Sequence, residues 1–426
     1  MKVFFHTLGC KVNQYETEEM LETLSEKGYS VVRSADEADI IVINSCTVTA
    51  ESDRKSRQAV RHYKKKNPSA ITVLTGCMPQ AYVEKVSFLP EADIILGNKT
   101  NYMLYDAVNE FLAERKRIVK VEPHKNNEPL KSCGIMSFEE RTRAFLKIED
   151  GCNRFCSYCA IPYARGRVRS KPVKEIVKEA SALADNGFVE IVLVGINLSA
   201  YGSDLENDDF PSAVRAVSDI EKVKRVRLGS LEPDHITDDV IEKLSGIEKL
   251  CGQFHISLQS GCDRTLKRMN RHYTADEYLS LCNKLRSAFD SCTLTTDIMV
   301  GFSGETEEDF NETVEFVKKV GFEKVHIFPY SVREGTRAAE FGNRITKDEK
   351  AKRVKKLSEV CNKIRKDFLL LQVGKSYEIL IEQKQNDGWF FGYTDNYIPV
   401  RISPDAKENN GRFTITRSDG DFCYAE

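Results

Sequence analysis

The sequence predicts an α/β protein in three parts: an N-terminal open parallel α/β sheet domain, a central partial (β/α)6 barrel and a small C-terminal β-barrel. Three observations predict it. Apolar strand-like runs alternate with amphipathic helical stretches over residues 1–115 and again over 139–368, as in parallel sheets whose helices cover the faces. From 369 to 426 helical spacing gives way to short strands with turn residues between them. Residues 116–138 are charged and irregular, with Glu122-Pro123-His124, and read as a linker.

In the first part, Lys2–Leu8, Ala38–Ile43, Ala70–Thr75 and Asp93–Leu96 are the strand candidates. Met20, Leu21 and Leu24 give Thr17–Lys27 helical spacing before Gly28, and a basic helix spans Glu51–Lys66. Cys10, Cys46 and Cys77 each fall just past the C-terminal end of a strand. In an open parallel sheet those ends share one edge, where ligands bind. Topology therefore gathers three cysteines that no linear motif connects. The set suits a metal or cluster; the alternative is three buried cysteines acting as small hydrophobes.

In the second part the strand candidates are Ala144–Glu149, Glu190–Val194, Arg225–Leu228, Phe254–Leu258, Thr293–Val300 and Lys324–Phe328. Helices fall between them, such as Val173–Asn186, Asp238–Lys243, Ala275–Ala288 and Glu307–Val320. Such barrels place chemistry on the loops at the C-terminal strand ends. The first of those loops carries Cys152, Cys156 and Cys159, a Cys-x3-Cys-x2-Cys array. Three thiolates this close wrap one face of a [4Fe–4S] cube and leave one iron free for another ligand. Structural zinc wants a fourth ligand, and no neighbouring His or Cys supplies it.

In the third part Ser376–Glu382, Trp389–Thr394, Tyr397–Ile402 and Gly411–Thr416 are strand candidates, and the last strand is short or incomplete because little chain follows Cys423. Trp389, Phe390, Phe391, Tyr393 and Tyr397 either stack on bases or fill the barrel core.

Composition bounds the function. At 426 residues, 41% hydrophobic and 30% charged, the chain is a globular protein and not a disordered one. The 63 Lys+Arg against 65 Asp+Glu exclude a polycation, so any nucleic-acid surface must be local. No apolar run of about 18 residues and no leader-like N-terminus stand in the sequence, which implies a cytoplasmic protein without a membrane partner. In such a chain the 13 cysteines read as metal ligands or catalytic groups, not as a disulfide framework.

The array Cys152, Cys156, Cys159 resembles the signature of radical S-adenosylmethionine (SAM) enzymes. Together with the N-terminal half, the chain resembles the methylthiotransferases. Thr7-Leu8-Gly9-Cys10-Lys11-Val12-Asn13-Gln14-Tyr15-Glu16 looks like the branch acting on N6-threonylcarbamoyladenosine of tRNA, next to the anticodon. Asp150-Gly151-Cys152, Tyr163-Ala164-Arg165-Gly166 and Asp297-Ile298-Met299-Val300-Gly301-Phe302 also match, while Ser303 stands where the family commonly has a rigid proline.

The resemblance implies two [4Fe–4S] clusters. The one on Cys152, Cys156 and Cys159 cleaves SAM to a radical that takes hydrogen from C2 of the adenine. The one on Cys10, Cys46 and Cys77 supplies or carries sulfur, which a second SAM methylates. Its partners are tRNA, a reductase electron donor of flavodoxin or ferredoxin type, and a sulfur source the resemblance does not name. SAM is expected across the C-terminal strand ends, at Gly195, Asn197, Ser230, Glu232, Gln259, Asp297 and Phe328; Arg271 and His272 are candidates to hold a carboxylate or phosphate. RNA is expected on basic helix faces, at Lys55, Arg57 and Arg61 and at Arg353 and Lys356, and on Trp389 of a C-terminal barrel that resembles the TRAM domain. The same chemistry on isopentenyl-adenosine or on a ribosomal-protein aspartate is the nearest alternative; a zinc-containing, non-catalytic RNA-binding protein is the alternative of another class.

Overall fold

The computed structural model describes residues 1–136, 142–407 and 411–426; the expected boundary at 138/139 lies outside them. Six parallel strands build the N-terminal sheet, in the order Ser30–Val31, Lys2–Thr7, Ile40–Ser45, Ile71–Gly76, Ile94–Leu96, Ile118–Lys120. Ile40–Ser45 and Ile71–Gly76 are buried along their whole length, which is why they read as unbroken apolar runs. Met20, Leu24 and Val108 cover one face of the sheet, and Val60 covers the other with Ile41 and Leu74.

Ile118–Lys120 corrects the expected boundary. It pairs with Ile94–Leu96 and belongs to the sheet, although it lies inside the stretch read as linker. Three residues among charged neighbours carry too little periodicity to show as a strand. The chain that follows is tied down as well: Glu128 accepts from Lys99 Nζ at 2.8 Å and from the Lys125 amide at 3.1 Å.

The central part is an open barrel of parallel strands running from Arg143–Lys147 through Glu190–Val194, Gln253–Ile256 and Thr293–Val300 to Lys324–Pro329. Its third strand breaks at Gly229: Arg225–Leu228 pairs with Glu190–Val194, and Ser230–Leu231 pairs with Gln253–Ile256. The order of six β/α units is the one the sequence predicts. Helices Ala275–Ala288 and Glu307–Val320 start on capping boxes, Thr274/Glu277 and Thr306/Asp309, each worth about 1 kcal/mol.

The N-terminal helix Lys11–Glu26 packs on the barrel as well as on its own sheet. Val12 and Tyr15 are fully buried within the barrel's core cluster, beside Phe145 and Leu146 of the first barrel strand. Burying an aromatic side chain to that extent stabilises the docking by about 1.5–3 kcal/mol.

A curled six-stranded sheet closes the chain, ordered Arg412–Thr414, Ser376–Lys384, Phe390–Thr394, Pro399–Ile402, Cys423–Ala425, Arg417–Ser418. The final strand is short but paired on both sides. This sheet sits at the N-terminal ends of the barrel strands, where Thr293 Oγ1 donates to the Asn396 carbonyl at 2.6 Å and Arg225 to the Glu378 carbonyl at 3.0 Å. Among the described residues no helix is long and apolar enough to cross a membrane.

Candidate active site with two cysteine sets

The parallel sheet delivers Cys10, Cys46 and Cys77 to one edge, as its topology requires. Two glycines make the convergence possible. Gly76 has φ +99°, and a Cβ there would sit 2.5 Å from the Ser45 carbonyl; a Cβ on Gly9, φ +117°, would meet Cys46 at 2.9 Å. Asn13 ties the three loops together. Its buried side chain donates to the carbonyls of Leu8 at 3.0 Å and Ser45 at 2.8 Å, and its Oδ1 accepts from Arg165 at 2.9 Å. Cys46 and Cys77 are buried and Cys10 is open. Burial pushes the Cys77 thiol up to about 12, against the pull of Arg165, and raises Cys10 as well.

Cys152, Cys156 and Cys159 lie in a loop clamped from below by the turn after helix Asp263–Arg268. The Ser157 amide donates to the Met269 carbonyl at 2.9 Å, and Asn270 Nδ2 to the Phe155 carbonyl at 3.2 Å. Phe155 holds φ +49°, a left-handed conformation at a non-glycine residue that the tight cysteine loop imposes. Burial raises the Cys159 thiol to about 12 and that of Cys152 higher still.

Each set also receives N–H donors at sulfur. Arg165 Nε lies 3.2 Å from Cys77 Sγ, and Arg271 donates to Cys156 Sγ at 3.2 Å. The Val48 amide reaches Cys46 Sγ and the Arg154 amide reaches Cys152 Sγ, both at 3.5 Å. Donors of this kind suit thiolates on a cluster, whose charge and potential they tune. Among the described residues neither set brings three ligand atoms within 4.8 Å of one another. One zinc ion would draw its sulfurs to within about 4 Å, so the wider spread fits the corners of an iron–sulfur cube better.

Arg165 joins the two halves of the site. Its side chain is fully buried and touches Cys77, Asn13 and Glu16 of the N-terminal part and Asp150 of the barrel, the last at 3.2 Å. Lys147 adds a second buried cation 3.2 Å from Glu16. Burial alone drives the Asp150 carboxyl up, but Arg165, Lys147 and Arg169 outweigh it and hold it well below the usual carboxylate range.

Of the residues expected to hold SAM, Gly195, Asn197, Glu232 and Gln259 follow strands, Ser230 and Phe328 lie within or near strand ends, and Asp297 lies within the strand Thr293–Val300. Gly195 leaves no room for a Cβ, which would lie 2.5 Å from Glu149. Asn197 Nδ2 is 3.8 Å from Cys152 Sγ, and Glu232 pairs with Arg271. Arg271 is committed to the Glu232 carboxylate of the chain itself, and His272 meets Arg154 at 2.9 Å. Gln259 takes φ +70° and leaves its buried Oε1 without a partner. Phe328 packs beside Met299 and Phe302. Asp297 Oδ2 lies 3.2 Å from His255 Nε2. Gly195, Ser230 and Asp297 line a cavity of about 1040 Å³ together with Gly9, Cys10 and Lys11 of the N-terminal part and Tyr397 of the C-terminal sheet.

The expected RNA contacts divide. Lys55 and Arg61 are exposed on helix Ala50–Lys66, with Arg57 beside them, and Lys356 is exposed on helix Lys347–Leu370. Arg353 is a correction: it is buried, with its guanidinium bonded to the Glu305 carboxylate and, at 3.1 Å, to the Glu305 carbonyl. The basic run around Arg353 pointed to a solvent face, but its guanidinium turns inward, where the buried Glu305 claims it. Trp389 is half-buried against Tyr424 and Arg401. Tyr393 and Tyr397 stack on each other at 4.3 Å, and Arg143 and Arg227 cover them from the barrel. They form an interface between the parts of the chain rather than an outer face.

Sequence reasoning passed over Asn13, Glu16 and Asp150 as functional residues, though they sit in the very text that carried the resemblance. The available signal was their polarity at positions that helical or strand periodicity assigns to the interior.

Residues 146–317 match the family described as the radical SAM superfamily, and residues 2–97 match one described as uncharacterized protein family UPF0004. The chain is 39% identical to a threonylcarbamoyladenosine tRNA methylthiotransferase MtaB of Bacillus subtilis, over 93% of this chain and 89% of that protein. It is 40% identical to a tRNA-2-methylthio-N(6)-dimethylallyladenosine synthase of Clostridium tetani, over 84% and 81%. Among solved structures, the radical SAM methyltransferase TsrM of Kitasatospora setae, with cobalamin and a [4Fe–4S] cluster bound, shares the fold with a TM-score of 0.55 at 14% identity, over 77% of this chain and 72% of that one.

Proposed function

The chain belongs to the radical SAM methylthiotransferases, and from that premise we propose that it inserts a methylthio group at C2 of N6-threonylcarbamoyladenosine, next to the anticodon of tRNA. Relatives at 39% and 40% identity carry names for two different modified adenosines, so identity does not choose between them. The observation that carries the choice is the lining of the cavity of about 1040 Å³: Lys11, Gln253, His255, Thr295 and Asp297 face it, which suits a polar acyl amino acid and not an apolar isoprenoid.

In this reading each part has its task. Residues 1–120 hold the sulfur-handling set Cys10, Cys46 and Cys77; the barrel holds Cys152, Cys156 and Cys159 with SAM; and the C-terminal sheet, the exposed Lys55, Arg61 and Lys356 and the half-buried Arg57 and Trp389 engage RNA. Cys152, Cys156 and Cys159 would hold a [4Fe–4S] cluster with one iron free of protein ligands, which would supply the one-electron chemistry that SAM cleavage needs. The protein's own groups position and shield. Arg271 fixes Glu232 and bonds Cys156; Gly195 makes room for the buried Glu149 carboxylate behind the strand end; Gln259 Oε1 is an acceptor without a partner among the described residues. The docked N-terminal part walls the cavity with Cys10.

The test is reconstituted protein with SAM, a reductant and an anticodon stem-loop carrying either modified adenosine. Methylthiolation of the threonylcarbamoyl RNA is expected; product from the isopentenyl RNA alone would reassign the substrate.

A further inference from the structure

We propose that Lys11 seats the carboxylate of the threonylcarbamoyl group, and so selects the modified adenosine on which the enzyme acts. The inference rests on the substrate reading above and names the residue that recognises it. Lys11 follows Cys10 and lies on the wall of the cavity. Its side chain is open to the cavity's solvent yet reaches across to the barrel, with Nζ 5.9 Å from the ring of Phe145.

Lys11 stands beside Cys10 with its ammonium unpaired by any carboxylate among the described residues. Arg227, which lines the same cavity, is bonded to the Glu190 carboxylate at 2.7 Å and to the Asp395 carbonyl at 2.9 Å. Arg365 is paired with Glu323, and Asp297 with His255. Lys11 has no carboxylate within 4.0 Å among the described residues. Lys324 is the other cation of the cavity without one, but it starts the last barrel strand, far along the chain from any ligand cysteine.

The chemistry of adenine places the substituent. C2 and the N6 group flank the same ring nitrogen, N1. A base that turns C2 toward Cys10 therefore brings its N6 substituent to the residue beside Cys10. A threonylcarbamoyl group ends in a carboxylate, and an ammonium is its natural partner. An isopentenyl group has nothing to offer a cation, which would then lose hydration without compensation. Two other anions reach such a site, the carboxylate of SAM and an RNA phosphate, and the test separates all three.

The experiment uses the holoenzyme and its K11Q variant, with three stem-loop RNAs: one with threonylcarbamoyladenosine, one with its carboxylate capped as the methylamide, and one with unmodified adenosine. Wild type is expected to favour the free carboxylate over the capped RNA by about 10- to 100-fold in kcat/KM and in binding, the range for a charge-assisted hydrogen bond. K11Q is expected to lose that preference and treat the two RNAs alike. K11Q that still discriminates overturns the proposal while leaving the substrate reading intact. Equal weakening of K11Q on unmodified RNA makes Lys11 a phosphate contact, and weakened SAM binding without RNA makes it a SAM contact; either overturns the proposal. Wild type inactive on the threonylcarbamoyl RNA but active on the isopentenyl RNA defeats the substrate reading itself, and the proposal with it.

Discussion

The two cysteine sets are built in opposite ways. Cys152, Cys156 and Cys159 share one short loop, so chain connectivity alone holds them near each other. Cys10, Cys46 and Cys77 stand at the ends of three strands, and only the register Ile43↔Leu74 and its neighbours bring them together. The first set is a motif; the second is a consequence of a fold. A local site tolerates much change in its surroundings, whereas an assembled site is only as good as the sheet and the contacts that align it.

Breaking either set directly has the largest effect. Cys156→Ala is expected to abolish SAM cleavage and methylthiolation together, while Cys46→Ala leaves SAM cleavage and abolishes only the methylthio product. Iron analysis of anaerobic protein checks the same division: about eight iron atoms per chain in the wild type and about four in each variant. If Cys46→Ala still forms product, the N-terminal set has another role.

Arg165 tests whether the assembled set depends on its neighbour. Arg165→Ala leaves Glu16 and Asp150 to Lys147 and Arg169, so the cost stays below the about 3–5 kcal/mol of a buried pair that loses its only partner. The unfolding midpoint should fall accordingly. Arg165→Lys, which keeps the charge but not the fork that spans Cys77, Asn13 and Asp150, should lower the iron bound by the N-terminal set more than that bound by the barrel set. Equal loss from both sets would mean that Arg165 serves only stability.

RNA binding should respond without either set changing. Reversing Lys55, Arg57 and Arg61 to Glu is expected to weaken tRNA binding and to flatten its salt dependence by about one unit of slope per lost phosphate contact. SAM cleavage without RNA should stay as it is. An unaltered salt slope would place the RNA on another face.

The smallest effect concerns the segment between the two sets. Burial pushes Glu128 up, but Lys99, His124 and the Lys125 amide outweigh it and hold its carboxyl at about 2, below the ordinary 4.5. A depressed carboxylate contributes its full stabilisation above about 4.5 and loses it as pH falls toward about 2. Hydrogen exchange over residues 121–136 should therefore quicken in wild type across that window and not in Glu128→Gln, which is loosened throughout.

The comparison also explains what could be read in advance. Periodicity of two and of 3.6 residues marked the barrel strands and helices, because long strands buried by covering helices leave long apolar runs. It missed Ile118–Lys120, whose three residues complete a sheet edge without a pattern of their own. It placed Arg353 on a solvent face because the helix around it is basic, and only the position of Glu305 shows that the guanidinium turns inward.

The sequence by itself determined the order of the elements, the cysteine loop of the barrel and the strand-end places of the other three cysteines, since each depends on local spacing and on the direction of a parallel strand. Tertiary structure alone decided that Arg165 ties the N-terminal set to Asp150 of the barrel, that Tyr393 and Tyr397 face the barrel, and that Lys11 lines a cavity with no carboxylate paired to it among the described residues. The physical reason is that charge pairing and desolvation are fixed by which surfaces meet, and the residues concerned lie more than a hundred positions apart in the chain.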